Sequence, residues 1–188
     1  MLAVQGAVAA HVRMLERVGA SAFEVRSAAQ LADADRLVLP GGESTTMSMM
    51  IARSGLEEPL RDWVGDGRPT FGTCAGAILL ASSIADGRDD QRCLGALDIA
   101  VRRNAFGRQV ESFETDVGVE GLEGGPFHAV CIRAPRIEAV GPGVEVLAEI
   151  DGSPALVRSG PVMAATFHPE LSGDTRLHEL FCQLPDAG

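Results

Sequence analysis

The stretch Thr70-Phe71-Gly72-Thr73-Cys74-Ala75-Gly76-Ala77 constrains this chain more than any other. It has the form G-x-C-x-G. A short apolar run, Pro69 to Thr73, precedes the cysteine, and small and aliphatic residues from Ala75 to Ser83 follow it. The pattern predicts a buried strand, a sharp turn and a helix, which is the nucleophile elbow with cysteine in place of serine. The demand is steric. The chain doubles back at the nucleophile, so its neighbours must be small, and Gly72 and Gly76 meet that demand. The sulfur is lifted above the sheet edge at a helix N-terminus, where the positive end of the helix dipole favours thiolate. A free cysteine is otherwise most often a small buried hydrophobe. Cys93, Cys131 and Cys182 keep that reading, Cys182 among Leu180, Phe181 and Leu184.

An elbow needs a sheet, and the flanking sequence predicts one. Leu2 to Gln5, Ala22 to Arg26 and Arg36 to Leu39 read as strands. Val8, Val12, Leu15 and Val18 recur at helical spacing up to Gly19, and Thr45 to Arg53 and Pro59 to Val64 read as helices. Strands alternating with helices argue for βαβ units and a parallel sheet covered on both faces. The second half differs. Ile99 to Arg102, Phe113 to Val117, Phe127 to Ile132, Val144 to Ile150, Ala155 to Arg158 and Val162 to Thr166 are six strands with little helix between them. Gly124-Gly125-Pro126 and Gly141-Pro142-Gly143 mark turns, and Thr175 to Leu184 closes the chain as an amphipathic helix. With 188 residues and no linker or repeat, one α/β domain over 1–188 is the economical organisation.

Bulk properties exclude some partners. A formal charge of −10 disfavours phosphate backbones and anionic lipid surfaces, so neither nucleic acid nor membrane is expected. Four cysteines without a C-x-x-C pair, and an N-terminus without signal-peptide character, suggest reduced thiols and a cytoplasmic protein. No C-x₂-C or H-x₃-H pair exists, so no metal site is expected.

A thiolate nucleophile needs a proton-moving partner, usually histidine. His11 and His178 lie on helices and His128 in a strand, and each reads as a surface or packed residue. His168 stands apart in Phe167-His168-Pro169-Glu170-Leu171, just past the strand Val162 to Thr166 and so at the sheet edge where α/β sites gather. Glu170 can hold one ring nitrogen while the other faces the sulfur. The run Leu37 to Thr46, with Pro40-Gly41-Gly42-Glu43-Ser44, passes from strand to helix and can turn backbone N–H groups into the site. The N–H groups of Gly42 and Ala75 are the candidate oxyanion donors. A phosphate-binding turn and a plain turn with Ser44 as N-cap are the competing readings. Arg102, Arg103 and Arg108 read on their own as a solvated charge cluster.

In chain order, the elbow, the Pro-Gly-Gly loop and the late His-x-Glu resemble class I, triad-type glutamine amidotransferases. Longer stretches are similar to the glutaminase subunits of glutamine-dependent pyridoxal 5′-phosphate synthases: Val4 to Val8, Leu39 to Met47, Phe71 to Ala77, Arg103 to Phe113, Ile132 to Pro135 and Phe167 to Leu171. The resemblance runs nearly end to end. It implies a three-layer, flavodoxin-like fold, a mostly parallel central sheet with helices on both faces and extra antiparallel strands in the second half. It implies hydrolysis of L-glutamine through a thioester on Cys74, with His168 and Glu170 completing the triad and no cofactor. Glutamine-binding positions carry over to Gly41, Gly42, Glu43, Arg103, Ile132 and Arg133. Free glutamine needs a cation and an anion; Arg103 suits its carboxylate, and Glu43 could face the ammonium or position nearby backbone. The implied partner is a (β/α)₈ synthase subunit in a large hetero-oligomer, which receives the ammonia through a channel and raises a low basal activity.

Three alternatives stay open at this level. The same triad would serve another amidotransferase, a γ-glutamyl hydrolase, or a non-catalytic scaffold that keeps the fold. One departure from the pattern is that Met1 falls inside the first strand, which puts the firmness of the sheet edge and of partner docking in question more than the chemistry.

Overall fold

The computed structural model describes residues 1–88, 91–103 and 112–185. Its centre is a five-stranded sheet in the spatial order β1 (Leu37–Leu39), β2 (Thr70–Thr73), β10 (Val162–Ala165), β9 (Ser153–Ser159), β8 (Glu145–Ile150). β1 and β10 flank β2 in parallel, Leu37 and Val162 both standing opposite Thr70. β9 and β8 extend the sheet antiparallel. Asp151 and Gly152, both at positive φ (50° and 70°), join β8 to β9, as the twist of a two-residue hairpin turn requires.

The first two expected strands shrink to one parallel bridge, Leu2 with Val25. Leu2 also donates its N–H to Val38 O at 2.9 Å, so it lies between Val25 and β1, wholly buried, inside the sheet rather than at its edge. Two turns cut these segments short. Gly6 takes φ +114°, and helix α1 (Val8–Arg17) begins directly after it. After Val25, the Ser27 hydroxyl accepts the Gln30 N–H and caps α2 (Ala28–Ala32), a helix absent from the sequence reading.

Period-two alternation along the strands fills both faces. Leu37, Leu39, Val162 and Ala164 join one apolar cluster, while Val38, Phe71, Met163 and Ala165 join another. The first is covered by α3 (Ser44–Arg53), α4 (Glu57–Gly65) and α5 (Ala75–Leu80) through Met47, Ile51, Leu60, Trp63 and Leu79. The second is covered by α1 and α6 (Arg176–Cys182) through Leu15, Leu177 and Phe181. Phe71 and Phe181 meet with ring centroids 5.7 Å apart. Burying each such ring stabilises the fold by about 2–3 kcal/mol. These are the three layers.

α5 ends earlier than expected. Ala81–Ile84 leaves it as β3, which runs parallel to β4 (Leu97–Arg102), and β4 pairs antiparallel with β7 (Arg136–Val140), another element the sequence reading lacks. β5 (Ser112–Val117) and β6 (Phe127–Ile132) form a separate antiparallel pair, Ser112 opposite Ile132. Among the described residues no helix is long and apolar enough to cross a membrane.

Candidate active site

Cys74 sits where β2 gives way to α5, at φ 48° and ψ −103°. Non-glycine residues rarely take positive φ, and such strain collects at functional sites. Of the three described cases, Cys74 and Arg133 (φ 45°) line the same cavity, and Asp151 is the hairpin turn. The elbow glycines are obligatory by contact. A Cβ on Gly76 would stand 2.0 Å from Leu39 O, and one on Gly72 would stand 2.6 Å from Gly76 O. Close approach of α5 to β1 and β2 therefore shapes the turn.

Two backbone bonds bring His168 to Cys74. Cys74 N–H donates to Ala165 O at 2.8 Å, tying the elbow to the end of β10. Three residues on, His168 N–H donates to Val130 O of β6 at 2.8 Å. Between them Phe167 is wholly buried, its ring 5.9 Å from that of Phe127. The His168 ring shares a hydrogen bond of 2.7 Å between Nδ1 and Glu170 Oε1 and also interacts with the Cys74 thiol. Burial resists charge on His168, but hydrogen bonds and charge from Cys74 and Glu170 outweigh it and push the imidazole up to about 10. Burial likewise opposes charge on Glu170, yet contacts with His11 and His168 bring it down to about 2. Burial above all, with the neighbouring Cys74, raises Cys131 to about 11, so that second sulfur stays a thiol.

A cavity of about 370 Å³ opens over the sulfur. Every site residue expected from sequence except Glu170 lines it: Gly41, Gly42, Glu43, Cys74, Ala75, Arg103, Ile132, Arg133 and His168. Glu170 lies behind His168, 6% exposed. Gly41 is held against the ring, since a Cβ there would stand 2.4 Å from His168 Cε1 and 3.3 Å from Cys74 Cβ. Its carbonyl accepts from Ala7 N–H at 3.0 Å, while Gln5 Oε1 accepts from Glu43 N–H at 2.9 Å. The N-terminal turn thus clamps the Gly-Gly loop. The Cys74 Sγ also lies 4.0 Å from Ile132 O.

Of the two roles left open for Glu43, the geometry gives the backbone one. Its carboxylate accepts from Thr45 N–H (3.2 Å), Thr46 N–H (2.7 Å) and Thr46 Oγ1 (2.8 Å), so Glu43 caps α3. Ser44, the expected cap, is instead the first helical residue, and its Oγ accepts from Gln91 Nε2 at 3.0 Å. Arg103 separates from Arg102. Arg102 forms a forked pair with Glu138 on the surface, whereas Arg103 Nη1 is held by Thr45 Oγ1 (2.6 Å) and Gln91 Oε1 (2.5 Å). Arg103 Nε is buried and meets no partner among the described residues. Arg108 and the rest of 104–111 lie outside the described residues.

Sequence reasoning missed Gln5 and Ala7 as loop clamps, and of its two readings for His11 and His178, surface or packed, the structure gives packed without the link to Glu170 having been foreseen. Both rings are wholly buried behind Glu170. The available signal was spacing: His11 falls three and four residues before Met14 and Leu15, on the apolar face of α1.

The chain is similar to known proteins along nearly its whole length. The chain is 56% identical over 184 residues to pyridoxal 5′-phosphate synthase subunit PdxT of Parafrankia sp. (strain EAN1pec), covering 98% of this chain and 91% of that one. It is 52% identical to the PdxT subunit of Corynebacterium jeikeium (strain K411), covering 98% and 94%. A crystal structure of a glutamine amidotransferase superposes with a TM-score of 0.91 at 50% identity, over 97% of this chain and 95% of that one. A putative GMP synthase protein from Thermoplasma acidophilum, 18% identical with a TM-score of 0.67 over 96% of this chain and 89% of that one, shares the fold. The SNO glutamine amidotransferase family matches residues 1–185, and the chain belongs to that family.

Proposed function

We propose that this protein hydrolyses L-glutamine to L-glutamate and ammonia through a thioester on Cys74, as the glutaminase subunit of a pyridoxal 5′-phosphate synthase. The observation that carries the reading is the meeting of Cys74, His168 and Glu170 at one cavity lined by the residues expected to bind glutamine. Its volume suits a small amino acid.

The chemistry follows from the groups present. The Cys74 thiolate attacks the side-chain carboxamide carbon. The oxygen becomes an oxyanion, with the Gly42 and Ala75 N–H groups as its donors, each worth about 3 kcal/mol of barrier. Imidazolium His168 gives its proton to the amide nitrogen, the C–N bond breaks and ammonia leaves. Water then attacks the thioester while His168 takes a proton. The C–S bond breaks, glutamate departs and the thiolate is restored. Glu170 holds the ring and balances its charge throughout. Arg103, which lines the cavity, is the cation for the substrate α-carboxylate. Ile132 and Arg133 form the opposite wall.

The chain works in this reading as one glutaminase domain in the cytoplasm. It docks in a hetero-oligomer with a (β/α)₈ synthase subunit, which receives ammonia through a protected channel and completes the oxyanion site. The test is glutamate release from glutamine, with and without a synthase subunit. Release that rises on adding the synthase is the expected result. Folded protein that releases none in either case removes the reading, and equal rates in both remove activation by the partner. Faster turnover of γ-glutamyl peptides than of free glutamine would assign a γ-glutamyl hydrolase instead.

A further inference from the structure

Glu170 uses only one of its oxygens on His168. The other, Oε2, is buried, and no aligned hydrogen bond reaches it among the described residues. His11 Nε2 lies 3.2 Å from that oxygen and 3.0 Å from Thr73 Oγ1. The far nitrogen of the same ring, Nδ1, is 2.9 Å from His178 Nε2. Three elements therefore converge behind the triad: α1 supplies His11, α6 supplies His178, and the short 3-10 turn Pro169–Leu171 supplies Glu170.

We propose that His11, itself fixed by His178, is a positioning residue for the glutaminase reaction, holding the second oxygen of Glu170 from behind so that the first stays on His168. This rests on the proposed glutaminase reading for its consequence, though not for its geometry.

Proton placement supports it. An ionised carboxylate only accepts, so the nitrogen facing it must carry hydrogen. A singly protonated His11 of that tautomer presents a bare Nδ1, and His178 Nε2–H must then donate to it. The bare nitrogen of His178 becomes Nδ1, which is buried and has no partner among the described residues. A doubly protonated His11 would reverse the donor and leave a buried His178 N–H without an acceptor, a costlier arrangement. Burial pushes His178 down to about 3, so its ring stays neutral. The His178 Nε2–H thus points to His11, and the His11 Nε2–H lies between the Thr73 hydroxyl and the second oxygen of Glu170. The groups facing this assembly are Thr73 from β2, His178 from α6, Glu170 and His168 beyond α1, and Arg17, whose charge acts on His178.

Losing the back contact leaves Glu170 buried with less to offset its charge, which loosens the imidazolium and the thiolate beyond it. His11→Leu is expected to move the acid limb of Cys74 alkylation by iodoacetamide upward by about one pH unit. With a synthase subunit present, it is expected to lower glutaminase kcat by about tenfold with KM little changed, the scale of an outer-layer partner. His11→Gln, whose amide N–H can reach the same oxygen, is expected to restore most of both. A folded His11→Leu protein with the wild-type acid limb overturns the proposal. So does loss of thermal stability alone, unaccompanied by any change in the profile. Should His11→Leu not fold, the wild-type protein still decides: ¹⁵N imidazole spectra are expected to show His11 and His178 both as Nε2–H tautomers, and a Nδ1–H tautomer at His11 overturns the proposal. Wild-type protein that lacks glutaminase activity but shows these tautomers rejects the glutaminase reading and leaves the arrangement standing.

Discussion

At the scale of single residues, the Cys74–His168 pair carries the sharpest prediction. Cys74 is among the causes that raise His168. Cys74→Ala should therefore abolish glutamate release and also drop the His168 pKa from about 10 toward the ordinary histidine range, read by an NMR titration of the ring. An unmoved ring titration would mean that Glu170 alone sets its charge. The convergence of Cys74, His168 and Glu170 was legible in sequence because each sits in a local pattern, Gly-flanked cysteine or His-x-Glu after a strand. His11 and His178 were not, because their mutual contact spans 167 positions and no local pattern announces it. Glu43 was half-legible: a carboxylate just before a helix can cap it or face a ligand, and only the coordinates choose the cap.

At the scale of elements, the elbow is a contact between α5, β1 and β2 as much as a turn. Gly76→Ala would drive a Cβ to 2.0 Å from Leu39 O, a backbone atom that cannot step aside. The expected outcome is a loss of several kcal/mol of stability or an insoluble protein, seen by denaturant unfolding. Glu43→Ala makes a milder comparison. Loss of the α3 cap should cost about 1 kcal/mol and lower the midpoint by a few degrees. It should also raise the glutamine KM, since the Gly41–Gly42 loop leads into that helix. Element boundaries were less readable than element types. Leu79, Leu80 and Ala81 form one apolar run that suits a buried helix or a buried strand equally, and pairing of Ala81–Ile84 with β4 decides it. β7 escaped notice because Arg136-Ile137-Glu138-Ala139-Val140 buries only Ile137 fully, too little periodicity to mark a strand.

At the scale of the whole molecule, the buried triad couples folding to pH in two opposite ways. Glu170, held near 2 against an ordinary 4.5, contributes stability that is complete above the ordinary value and is lost as pH falls through about 2. His168, raised to about 10 from 6.5, contributes stability that is complete below 6.5 and is lost as pH rises through about 10. Both contributions are whole only between roughly 4.5 and 6.5. Thermal midpoints measured across pH should show this, and Glu170→Gln should flatten the acid flank between 4.5 and 2. An unchanged acid flank would shift the credit to the surface carboxylates. The layered α/β plan was readable from alternation of strand and helix runs. The shortness of the N-terminal pairing was not, because it depends on Gly6 turning toward Gly41, a tertiary contact.

The amide of Cys74 is bonded to Ala165 at the end of the strand beside its own. The gap between sulfur and imidazole is therefore set by the spacing of neighbouring parallel strands, about 4.8 Å, together with the His168 N–H bond to Val130 of β6 that fixes the three residues beyond β10. The turn at Asp151 and Gly152 closes the antiparallel flank of that sheet, away from the β2–β10 pair, so insertions there can drift through evolution while Cys74 and His168 keep their alignment.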